Sequence, residues 1–134
     1  MEIKMTAKYI INSTQELTLN TIAKTINESC VEAGWYTDLK TGQPIKRNFG
    51  EVIALMHSEL SEALEGWRKN LMDDHLSSRK SMEVELADCV IRILDTAHAE
   101  GLDIGGAIAE KFAYNQKRAD HKLENRKKVN GKKI

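Results

Sequence analysis

Two pairs of carboxylates at helical spacing, Glu59/Glu62 and Glu85/Asp88, constrain this chain more than any other feature of its sequence. Residues three apart share one face of a helix, so each pair aims its oxygens at a single spot. If the two helices pack as a hairpin, four carboxylates converge. Such a group repels itself unless cations sit among it. An all-oxygen ligand set suits Mg²⁺, with Mn²⁺ as a substitute, better than zinc. The pattern therefore predicts a metal site built from Glu59, Glu62, Glu85 and Asp88.

A helical wheel sharpens this. At about 100° per residue, Val52, Leu55, Met56, Leu60, Ala63 and Trp67 form the apolar arc of the first of these helices, with Glu59 inside it and Glu62 at its edge. The second helix is apolar nearly all round, broken only by a strip of Glu85, Asp88, Arg92, Asp95 and Thr96. A helix with so little polar surface is expected to be mostly buried, and a buried carboxylate needs a partner or a metal. The competing reading makes the strip the solvated side of a bundle helix.

Caps and stops place these helices in the chain. The first thirteen residues contain the run IKMTAKYII, which reads either as a strand or as a first turn. Ser13 and Glu16 form a capping-box pattern that opens helix one, and Gly34 stops it. Trp35 and Tyr36 follow, and TDLKTGQPIKRN reads as a loop broken by Gly42 and Pro44. Asn48, with Glu51 three residues on, opens helix two, which runs to about Asn70. Ser78 or Ser81 is expected to cap helix three, ended by Gly101, and Asp103 to cap helix four. The expected fold is all-α with four main helices, helices two and three forming the metal hairpin. The whole of 1–134 reads as one domain, with a core of about 14–120 and a basic tail over 121–134 that is ordered only in part.

The charge balance excludes some functions. Twenty acidic and twenty basic residues cancel, which gives no overall bias toward nucleic acid or membrane. The distribution is uneven, however, with bases gathered after Lys111 and acids in the middle helices. A basic segment beside an acidic metal site suits a triphosphate. Cys30 and Cys89, among apolar neighbours, read as buried free thiols of a reducing cytosol. With no signal-peptide pattern and no apolar run of transmembrane length, a soluble, cytoplasmic protein is expected. Phosphate-loop, dinucleotide-binding, HExxH and CxxC motifs are all missing. His57 falls on the polar side of helix two, and Asp95 with His98 is too imperfect a Glu-x-x-His copy for a di-iron bundle.

The pattern Glu59-x-x-Glu62, 22 further residues, then Glu85-x-x-Asp88, followed by Lys111-Phe-Ala-Tyr-Asn115-Gln-Lys-Arg118, resembles the all-α nucleoside triphosphate pyrophosphatases of the MazG-like superfamily. The likeness runs from about Phe49 to Lys133. It implies a helical bundle of that type, four acids that hold Mg²⁺, and a lysine and an asparagine that contact the nucleotide. It also implies a homodimer or homotetramer. The activity implied is Mg²⁺-dependent hydrolysis of a (d)NTP to the monophosphate and diphosphate, with dGTP or dATP as leading substrates. The nearest rivals are dUTP, dCTP or phosphoribosyl-ATP as substrate, or a helical module that binds nucleotide without turnover.

That chemistry assigns provisional roles. The four acids neutralise phosphate oxygens through the metal, and one of them, or the metal alone, activates water. Glu59 is the candidate base, being deepest in the apolar arc, where its pKa is expected to rise. Lys111, Asn115 and Arg118 at i, i+4 and i+7 form one stripe of helix four, suited to phosphate, ribose or base, or else simply a solvated face. Trp35, Tyr36 and Trp67 are the candidates for stacking on a base, Trp35 foremost because it sits where a helix meets a loop.

Overall fold

The computed structural model describes residues 7–134; the first four residues of the run IKMTAKYII lie outside them, and the rest, 7–11, is neither strand nor helix. Four long helices appear: α1 (Ser13–Glu32), α2 (Phe49–Arg68), α3 (Ser81–Ala99) and α4 (Ile104–Lys117). A 3₁₀ turn at Ala119–His121 and a single-turn helix α5 (Leu123–Arg126) follow. Among the described residues there is no strand, only isolated bridges pairing Thr37 with Pro44 and Met72 with Lys80. The fold is all-α, and among the described residues no helix is long and apolar enough to cross a membrane.

The chain gathers into two compact units, one combining Met1–Thr21 with Asp103–Ile134, the other formed by Ile22–Leu102. In the second, α2 and α3 pack along their length as an antiparallel hairpin. Asn48 caps α2 by accepting from the Glu51 amide at 3.0 Å. The buried stripe of α2 is Val52, Met56, Glu59, Ala63 and Gly66, which is narrower than the arc the wheel suggests. Leu60 (48 %) and Trp67 (64 %) stand exposed. At the narrow end of the hairpin, Gly66 lets α2 approach the start of α3, since a β-carbon there would meet the Ser81 hydroxyl.

Helix α3 departs from expectation in two ways. Its cap position is Lys80, whose side chain makes no capping bond, with Ser81 as the first helical residue rather than the cap and Ser78 further out. The connection closes through backbone instead, with Ser81 donating to Leu71 at 3.0 Å and Asp73 to Arg79 at 2.9 Å. Nor is the helix mostly buried, since Leu86, Val90, Ile91 and Ile93 are each 38–51 % exposed.

In the first unit, the box that opens α1 lies one residue earlier than the Ser13/Glu16 pattern. Asn12 and Gln15 exchange bonds, each side chain accepting from the other's amide at 2.9–3.0 Å. Asn20 of α1 donates to Asp103 at 2.7 Å and accepts from the Gly105 amide at 2.8 Å. Asp103 also caps α4 through the Gly106 amide. Gly105 is fully packed because a β-carbon would overlap the Glu16 carbonyl. Gly105→Ala is therefore expected to cost about 2–3 kcal/mol through overpacking, read as a lower urea midpoint with an unchanged slope. An unchanged midpoint would show that the contact gives way freely.

Candidate metal centre and its cleft

The hairpin brings acids from both helices together. Glu59 of α2 and Glu85 and Asp88 of α3 each offer an oxygen within 4.8 Å of the others, the first buried, the second half-buried, the third exposed. Glu62, exposed on the next turn, adds its carboxylate against Glu85. The polar strip of α3 is solvated only in part: Asp88 is exposed, whereas Asp95 and Thr96 at its far end are 4 % and 8 % exposed. An oxygen-only, mixed-exposure cluster of this kind fits a hard divalent cation such as Mg²⁺ or Mn²⁺.

The electrostatics follow from this crowding. Removal from water, together with the Glu59 and Glu62 carboxylates, pushes Glu85 up to about 7. Glu59 is held by a cation, with Arg92 Nε donating to its Oε1 at 2.7 Å. A carboxyl raised in the folded state contributes stability that is complete below about pH 4.5 and is lost as pH rises through about 7. The metal-free protein is therefore expected to lose ~1–2 kcal/mol between pH 5 and 8, a value discounted for solvent screening. Mg²⁺ should raise the melting temperature more at pH 8 than at pH 5, because binding requires ionised ligands. Equal metal-induced shifts at the two pH values would contradict this picture.

Beside the acids lies a cleft of about 440 Å³, with Trp35, Arg47, Leu55 and Ile91 among its walls and Glu59, Asp88 and Arg92 at its edge. Asp95 organises the wall. It accepts from Asn27 Nδ2 at 2.8 Å and from the Tyr36 hydroxyl at 2.9 Å, and Arg47 Nη1 stands 3.9 Å from it. Burial, the bond to Asp95 and its negative charge push Tyr36 up to about 12. Burial and the Asp95 charge likewise raise the half-buried Cys30 thiol, while Cys89 is fully buried. The stretch read from sequence as a plain loop is folded on itself. Asp38 accepts from the Lys40 and Thr41 amides, Ile45 donates to Tyr36 at 2.9 Å, and Gly42 takes a left-handed φ of 71°. This fold-back carries Arg47 to the cleft that Trp35 lines, and Tyr36 to a second cavity that Arg47 also borders.

Trp35, 63 % exposed, is thus at the cleft, whereas Trp67 lies near the narrow end of the hairpin. His57 and His98 are exposed and outside the acidic group. Lys111, Asn115 and Arg118 belong to the other compact unit. There Lys111 Nζ lies over the Tyr114 ring at 4.9 Å, and Asn115 Oδ1 is buried without a partner. Arg118 is the residue after α4 rather than part of its stripe, and it grips Asp120 with two bonds of 2.9 and 2.7 Å. Arg47, Arg92 and Asp95 are the cleft residues that the sequence reading did not assign. The available signal was that Arg92 follows Asp88 by four and Glu85 by seven, on the same strip of α3.

Comparison with protein families, with curated proteins and with solved structures finds no match to this chain.

Proposed function

We propose that the chain is a Mg²⁺-dependent nucleoside triphosphate pyrophosphohydrolase of the MazG-like all-α kind, cleaving a (d)NTP to the monophosphate and diphosphate. The observation that carries this reading is the meeting of Glu59, Glu85 and Asp88 within 4.8 Å at the edge of a cleft large enough for a nucleotide. Bound Mg²⁺ would neutralise phosphate oxygens and polarise the α-phosphorus. The protein's own part is positional. Glu59, Glu85 and Asp88 hold the cation, with Glu62 beside them, and Trp35 offers an exposed indole face on which a base can stack. In this reading one acid of the group, Glu59 foremost, or the metal alone would activate the attacking water. The resemblance also implies that Lys111, Asn115 and Arg118 contact the nucleotide.

A homodimer or homotetramer belongs to the same proposal. Leu60 and Leu64 on α2 and Leu86, Val90 and Ile93 on α3 are 38–56 % exposed, apolar side chains that a second copy could cover. Light scattering on the purified chain tests this.

The activity is tested by incubating the protein with Mg²⁺ and each deoxynucleoside triphosphate in turn, with dGTP and dATP as the leading substrates. The reading requires monophosphate and pyrophosphate in equal amounts and no reaction in chelator. Release of orthophosphate, or no release from any nucleotide, would overturn it.

A further inference from the structure

We infer that Arg47 and Arg92 are the polyphosphate-binding residues of the acidic cleft that both line, Arg92 joining the proposed metal ligand Glu59 to the anion. The inference rests on the metal-triphosphate reading above and assigns that site a pair of cations outside the motif that suggested it.

A cleft edged by Glu59 and Asp88 repels a bare polyanion, so an anion held there needs fixed cations besides the metal. Two guanidinium groups reach it. Arg92 spends only Nε on Glu59 Oε1, at 2.7 Å. Among the described residues its two terminal nitrogens have no hydrogen-bond or ion-pair partner, so the half-buried group keeps four N–H donors for the cleft it lines. One side chain therefore holds a metal ligand in place and presents the forked donor set that matches phosphate oxygens. Arg47 is fixed differently. Its guanidinium lies over the Tyr36 ring at 5.8 Å and 3.9 Å from Asp95, with 23 % of the side chain exposed. That stacking and the Asp95 charge orient a cation that still has solvent-facing donors, and Arg47 borders a second cleft of about 420 Å³ beside Lys46. Both arginines come from the unit that holds the acids, so the assignment draws on no other part of the chain.

The experiment uses the full chain and magnesium tripolyphosphate, an anion with no base or sugar, so that binding is read without turnover. Calorimetry on wild type, Arg47→Met and Arg92→Lys is compared with Mn²⁺ binding to the same proteins followed by electron paramagnetic resonance. Each variant is expected to weaken tripolyphosphate binding about tenfold to a hundredfold, the loss appropriate to charge-assisted bonds. Arg47→Met, whose target touches no acid of the cluster, should leave Mn²⁺ affinity within about twofold of wild type, and KM for a nucleoside triphosphate should rise by the factor lost in tripolyphosphate binding. Variants that bind tripolyphosphate as wild type does would overturn the assignment, as would a wild type that does not bind it. A wild type that binds it, weakened by both substitutions, yet cleaves no nucleotide would sink the pyrophosphatase reading and leave the arginine assignment standing.

Discussion

Glu85→Gln is expected to lower Mg²⁺-dependent turnover by on the order of a thousandfold while leaving the helical circular-dichroism spectrum unchanged. Asp88→Asn should behave alike. The two carboxylates contribute oxygens to one shared spot with Glu59, so on the proposed pyrophosphatase reading removing either charge would weaken the hold on the cation. The fold does not need the charge, and that is the diagnostic. Glu85 is raised by its removal from water and by the crowding of Glu59 and Glu62, so the uncharged glutamine should make the metal-free protein more stable at pH 8, not less. An activity that vanishes while stability rises separates a functional cluster from a structural one. Glu83→Gln serves as the control, since Glu83 is exposed and pairs with Arg79 at 2.7 Å, away from the acidic group. If Glu85→Gln hydrolyses nucleotide as well as wild type, the cluster is not the site of the reaction.

Asp95→Ala is expected to destabilise the fold by about 3–5 kcal/mol, the largest stability effect of any single side-chain truncation discussed for this chain. Asp95 is only 4 % exposed, and its loss strands the Asn27 amide, the Tyr36 hydroxyl and the Arg47 charge at once. Asp95→Asn, which keeps a carbonyl acceptor, should cost less. Tyr36 provides an independent readout. Its phenol, raised to about 12 by burial and by Asp95, should titrate closer to 10 in the asparagine variant, followed by absorbance at 295 nm. Below pH 10 the linked stability is complete, and in wild type it is lost only as pH rises through about 12. A phenol midpoint unmoved by Asp95→Asn would mean that burial alone raises it.

What the sequence revealed and what it hid divide by range. Asn48, Asp103, Gly34 and Gly101 act within a turn of their own helices, and each sits where its local chemistry places it, the two glycines at left-handed φ of 87° and 69°. The α1 cap slipped by one residue because Asn12-x-x-Gln15 and Ser13-x-x-Glu16 carry the same spacing, and only the backbone selects between them. The acidic pairs were legible because each is a local i, i+3 pattern. Arg92 to Glu59 and Tyr36 to Asp95 span 33 and 59 residues and follow from packing, which no wheel of one helix contains. The open face of α3 was misjudged for the complementary reason, since periodicity records which residues avoid water but not whether one chain supplies enough neighbours to cover them.

The backbone bridge between Met72 and Lys80 has a consequence for how the cluster arises during folding. Every acid of the group, and the arginine that holds Glu59, comes from two consecutive helices joined by that clasped connection, so closing the cluster means closing a single loop of about thirty residues. Short-range closure of this sort is fast and needs few distant contacts in place first. Assembly of the acids should therefore run ahead of much of the remaining chain, and a divalent ion present during refolding would meet its ligands early and speed the collapse that follows.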